Sequence, residues 1–77
     1  MSSGETYGLG FLTEEWVWGD EVVAADQDQA IAKAREMLEV VVREETPEIA
    51  CVTVLSGPRK IGVWDHLDGQ FVWTPET

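Results

Sequence analysis

The amino-acid sequence predicts a single α+β domain of order ββαβββ, in which one antiparallel sheet of four to five strands packs on one helix. Three observations predict it. Between Asp26 and Thr46 apolar residues recur at helical spacing, while the runs on either side are short, β-branched and aromatic. Asp68-Gly69 stands between two apolar runs, a strong short-range signal for a β-hairpin. The chain has 77 residues, 44% of them hydrophobic, which is enough for one small core and too few for a second module.

Met1 to Glu5 is small and polar and reads as a flexible terminus, so structure is expected to begin near Thr6. Tyr7, Leu9 and Phe11 alternate with Gly8 and Gly10, giving a strand with one bulky face and one bare face open to another backbone. A turn at Thr13 to Glu15 leads to a second strand over Trp16 to Ala25; a turn at Gly19-Asp20 is the alternative. Trp16 and Trp18, two apart, would then share one side of that strand.

Asp26, followed by Gln29 and an apolar repeat, marks a helix N-cap with its capping partner. Ala30, Ile31, Ala34, Met37, Leu38 and Val41 form the buried stripe of a helix over residues 27–45. Glu39 and Arg43 are placed as an i,i+4 pair on its surface. Thr46-Pro47 ends it, because the residue before proline resists the α conformation.

Ile49 to Leu55 reads as a third strand closed by a Ser56-Gly57-Pro58 turn, and Arg59-Lys60 as a solvated loop or a guarded edge. Ile61 to Asp65 and Gln70 to Thr74 complete the sheet. A two-residue loop at Asp68-Gly69 pairs Trp64 with Trp73 and His66 with Phe71; a three-residue loop would shift the register by one. Trp64, Phe71 and Trp73 then share one face, and Ile61, Val63 and Val72 the other. The strands are therefore apolar on both faces, and one helix of about five turns covers only one of them. The other face is left to fold on itself, to be covered by a terminus, or to be shared with another chain.

Charge narrows the function. Fifteen Asp and Glu stand against five Lys and Arg, a formal net charge of -10. Direct nucleic-acid binding needs Lys and Arg to neutralise phosphates, so it is excluded, and anionic membranes are disfavoured for the same reason. No apolar run approaches the length of a membrane span, and no basic segment followed by an apolar run opens the chain; a cytoplasmic setting is expected. The single Cys51 has no internal partner.

Residue types for catalysis are sparse. Cys51 sits inside an apolar strand, Ser56 lacks a nucleophile elbow, and Asp65, His66 and Asp68 offer one imidazole without a thiolate. Gly57 to Lys60 lacks the spacing of a phosphate loop. The expected protein is noncatalytic, with no cofactor and no metal.

The carboxylates are segregated. Residues 1–28 hold Glu5, Glu14, Glu15, Asp20, Glu21, Asp26 and Asp28 and no basic residue. Asp26 and Asp28 suit the helix N-terminus, and Asp68 suits its turn. Glu44 and Glu45 fall in the last helical turn, where the dipole disfavours them, and stability does not ask for Glu14, Glu15, Asp20 and Glu21 in a segment without basic residues. Carboxylates two apart along a strand are separated by about 7 Å, similar to adjacent nucleic-acid phosphates. Glu14, Glu15, Asp20, Glu21, Glu44, Glu45 and Glu48, with Trp16 and Trp18 as anchors, are the candidate partner-binding residues.

In size and charge, over the whole chain and without a shared motif, the sequence resembles phage-encoded inhibitors of host defence, such as anti-CRISPR proteins and DNA-mimicking antirestriction proteins. The residues carrying the resemblance are Glu14, Glu15, Asp20, Glu21, Glu44, Glu45 and Glu48. It implies a stoichiometric inhibitor covering the basic nucleic-acid channel of a defence complex. The alternative is a small structural or regulatory homodimer that buries the second sheet face.

Overall fold

The structure, a computed structural model, describes residues 4–76. Its order is β1 (Glu5–Thr13), β2 (Val17–Ala24), α1 (Gln27–Glu45), β3 (Ala50–Ser56), β4 (Arg59–Leu67) and β5 (Gln70–Pro75). The strands form one antiparallel sheet in the order β2-β1-β3-β4-β5. This is the predicted ββαβββ arrangement. Of the segment expected to be a flexible terminus, residues 1–3 lie outside the described residues, and Glu5 already pairs with Ala24 in β1.

Both β2 and β3 run antiparallel to β1, so they are parallel to each other and need a connection across the sheet. Helix α1 supplies it and covers one face. Asp26 caps its start: the Asp26 carboxylate accepts from the Gln29 N–H at 2.8 Å, and the Gln29 side chain reaches back to accept from the Ala25 N–H at 2.6 Å. The cap closes one residue earlier than the usual box. At the other end Thr46 turns left-handed, with φ 45°, and donates its N–H to the Val42 carbonyl at 3.0 Å.

Ala30, Ala34 and Leu38 of α1 are fully buried against Tyr7, Leu9 and Phe11 of β1 and Val52 and Val54 of β3. Fully burying each Leu or Val stabilises the fold by about 1.5–3 kcal/mol. The small Ala30 and Ala34 bring the helix close to the sheet, which leaves Ile31, Met37, Val41 and Val42 partly buried at the margins.

One row crosses all five strands beneath the helix: Trp18, Phe11, Val52, Trp64 and Trp73. Its rings touch at both ends. Phe11 stacks on Trp18 with centroids 5.1 Å apart, and Trp64 meets Trp73 at 5.3 Å. The second of these is the register expected from a two-residue loop, and Asp68 and Gly69 both adopt positive φ, as that loop requires.

Four expectations are corrected. Ile61 is buried in the core rather than placed on the outer face, because β4 bulges opposite Val54 and Leu55 and the extra residue breaks the alternation. Arg59 and Lys60 are neither loop nor edge: they open β4, pairing with Ser56 and Leu55 across a two-residue Gly57-Pro58 turn. Arg35, not Arg43, approaches Glu39, at 4.0 Å, and the guanidinium also lies 4.8 Å from the Phe71 ring. Trp16 belongs to the β1–β2 turn rather than to a strand, so it shares no strand face with Trp18.

An acidic aromatic cleft as candidate functional site

The β1–β2 turn is built on Thr13. Its buried hydroxyl accepts from the Glu15 N–H at 3.2 Å and the Trp16 N–H at 3.0 Å, while its own N–H donates to the Trp16 carbonyl at 2.8 Å. This fixes the direction of the two residues in between. Glu14 points to the connection between α1 and β3, where its carboxylate accepts from the Glu48 N–H at 3.0 Å and the Ile49 N–H at 3.1 Å. Those bonds, the one from Glu48 first, hold the Glu14 carboxyl below the ordinary glutamate range.

Between this turn and the end of α1 lies a cleft of ≈ 420 Å³. Glu14, Glu15, Trp16 and Trp18 line one wall; Val40, Val41, Glu44 and Glu45 line the other, and Thr46 and Pro47 close it. Trp16 is 64% exposed, the largest aromatic surface offered to solvent, whereas Trp18 is half-buried and held by Phe11. The C-terminal end of the helix dipole adds to the negative potential of the four glutamates.

No ion pair among the described residues neutralises it. Among the described residues the ion pairs are Arg35 with Glu39 and Lys60 with Glu76, both away from the cleft. Lys33 donates to the Val23 carbonyl at 2.7 Å. Such a cleft suits a cation: carboxylates accept charge-assisted hydrogen bonds, and an indole face attracts an ammonium or guanidinium. Its volume lies within the roughly 300–1,000 Å³ of small-ligand sites, enough for one or two long basic side chains.

The structure brings together six of the nine predicted residues. Glu14, Glu15, Trp16, Trp18, Glu44 and Glu45 converge, although Glu14 is also a structural tie with both oxygens engaged. Asp20 and Glu21 do not join them: Glu21 projects from the sheet face turned away from α1, whereas Asp20, on the same face as Trp18, stands two residues further along β2 opposite Leu9 and accepts the Glu21 N–H at 2.8 Å. Glu48 lends its backbone to Glu14 and is otherwise exposed outside the cleft. Thr13 and Pro47 were not among the predicted site residues; a Thr directly before two glutamates at a turn was the available signal.

The groups considered for catalysis are separated by the sheet. Cys51 projects from the outer face and His66, directly opposite Ala50, from the helix side, where its ring packs on Phe71 at 4.9 Å. Burial, and then the nearby Asp65, push the Cys51 thiol up. Asp65 and His66 are neighbours on one strand and so diverge. No helix among the described residues is long and apolar enough to cross a membrane. Compared with protein-family models, curated protein sequences and solved structures, the chain matches none.

Proposed function

We propose that this protein is a noncatalytic inhibitor that binds a basic, nucleic-acid-binding surface of another protein, of the kind found in defence complexes. The observation that carries the reading is the cleft: four glutamates and an exposed indole face one cavity, and no Lys or Arg side chain pairs with them. A Lys or Arg from the partner would insert between Trp16 and the Glu44–Glu45 wall, with Glu15 at the rim. Held there, it is withdrawn from phosphate. Charge of one sign also speeds encounter with a basic surface, an effect that salt removes.

The test is displacement of labelled DNA from a CRISPR effector complex. The wild-type chain is expected to release it, with a midpoint that rises with salt. Glu15→Lys, Glu44→Lys and Glu45→Lys combined should raise that midpoint by about tenfold or more. Asp20→Lys with Glu21→Lys should act only through net charge, and so more weakly. Displacement equal in all three proteins would sink the assignment to the cleft.

A further inference from the structure

Among the described residues nothing covers the sheet face turned away from α1. Val17, Leu12, Cys51, Asp65 and Val72 form one row across all five strands, with Val17 75%, Leu12 42% and Val72 43% exposed. Beside this ridge Gly10 and Gly19 stand directly opposite one another and leave a hollow.

Those two glycines are unexplained by the fold itself. A Cβ at Gly10 would come no closer than 4.0 Å to Thr53, and one at Gly19 would lie 3.8 Å from the Leu9 carbonyl; both are ordinary contacts, and neither residue has the left-handed backbone that favours glycine. Gly62 differs, because a Cβ there would fall 2.6 Å from the Trp73 ring. Glycine inside a strand weakens it unless something approaches closely, and among the described residues Gly10 and Gly19 meet ordinary contacts alone.

We propose that two copies of the chain pack sheet against sheet through this face. In a two-fold pair the Leu12–Val17 ridge of one copy meets the Gly10–Gly19 hollow of the other, so the surface is complementary to itself. A basic partner has little to hold here, since Glu21 and Asp65 stand on separate strands and Glu76 is paired with Lys60; its attraction lies on the helix side. The area suffices. Five strands about 4.8 Å apart and roughly 20 Å long give a face of roughly 500 Å² per copy. The total of about 1,000 Å² is at the lower bound of a specific interface, which is the size of a weak, reversible dimer. The acidic cleft lies on the other side of the sheet and stays open in both copies.

Sedimentation velocity of the full chain from about 5 to 500 μM tests this. The expected mass climbs from 8.6 kDa toward twice that value. The midpoint should fall to lower concentration in about 0.5 M salt, because screening relieves repulsion between two strongly acidic chains. Gly10→Thr, where a Cβ meets only an ordinary contact, and Val17→Lys, at an exposed position, should keep the far-UV circular dichroism of the fold and raise the midpoint by about tenfold, the second despite making the chain less acidic. Asp65→Asn removes a carboxylate from the interface and should lower it. A chain that stays monomeric throughout, or a dimer unmoved by Gly10→Thr and Val17→Lys, overturns the proposal. Either result leaves displacement by the cleft unaffected, since that activity weakens with salt where self-association strengthens.

Discussion

The Glu14 carboxylate holds the backbone N–H of Glu48, 34 residues further along the chain, at 3.0 Å. It takes the Ile49 N–H as well, so a single side chain in the first turn satisfies two donors of the loop entering β3. Because these bonds lower the Glu14 pKa in the fold, its contribution to stability is fully present above the unfolded glutamate value of about 4.3. That contribution is lost as pH falls through the lower folded value. Urea midpoints measured between about pH 6 and pH 3 should fall more steeply for the wild type than for Glu14→Gln, which has no charge to lose. Parallel pH profiles would show that the tie to Glu48 carries no charge-dependent stability.

Trp16 and Trp18 separate by role. Trp16 is mostly solvent-exposed at the cleft, so Trp16→Ala should change stability by less than about 0.5 kcal/mol while weakening displacement of nucleic acid. Trp18 stacks on Phe11 at an interplanar angle of 7°, and Trp18→Ala should cost about 2 kcal/mol. Thermal unfolding of the two variants beside the displacement assay checks both expectations.

Local signals in the sequence were enough to place the helix and to reveal all five strands, though not the bounds of β2 and β4. Asp26 with Gln29, Thr46 before Pro47, and Asp68-Gly69 each act within a few residues, and each appears in the structure at its predicted position. The bulge that buries Ile61 was not legible, because it depends on how β3 and β4 slide past each other and not on the composition of either. The cleft was half legible. Grouped charge exposed Glu14, Glu15, Glu44 and Glu45, yet proximity along the chain also grouped Asp20 and Glu21 with them, whereas in the sheet Glu21 points to the outer face and Asp20 stands further along β2 opposite Leu9. That Glu14 is spent on Glu48 and Ile49 could be read only from the approach of two distant loops.

Gly62 and Gly10 should respond oppositely to a methyl group. At Gly62 a Cβ would meet the Trp73 ring at 2.6 Å and the Thr74 carbonyl at 2.7 Å, and the backbone oxygen cannot swing away. Gly62→Ala should therefore lose about 1–3 kcal/mol and disturb the Trp64–Trp73 pair, visible as changed tryptophan fluorescence. Gly10→Ala meets only ordinary contacts and should gain about 0.5 kcal/mol in the dilute monomer. Equal thermal shifts in the two variants would mean that Trp73 does not rest on Gly62.

Thr46 sits at φ 45°, ψ 49°, a left-handed conformation that is costly for a β-branched residue and doubly so before proline. Glycine adopts it without a Cβ penalty, so Thr46→Gly should stabilise the chain by about 1 kcal/mol after its greater freedom in the unfolded state is counted. The same residue closes the cleft between the Glu44–Glu45 turn and Pro47. A gain in the thermal midpoint combined with weaker displacement of nucleic acid would show that the strain orients the cleft. A gain with displacement unchanged would assign Thr46 to the helix terminus alone, because every charge and ring of the site is retained in the variant.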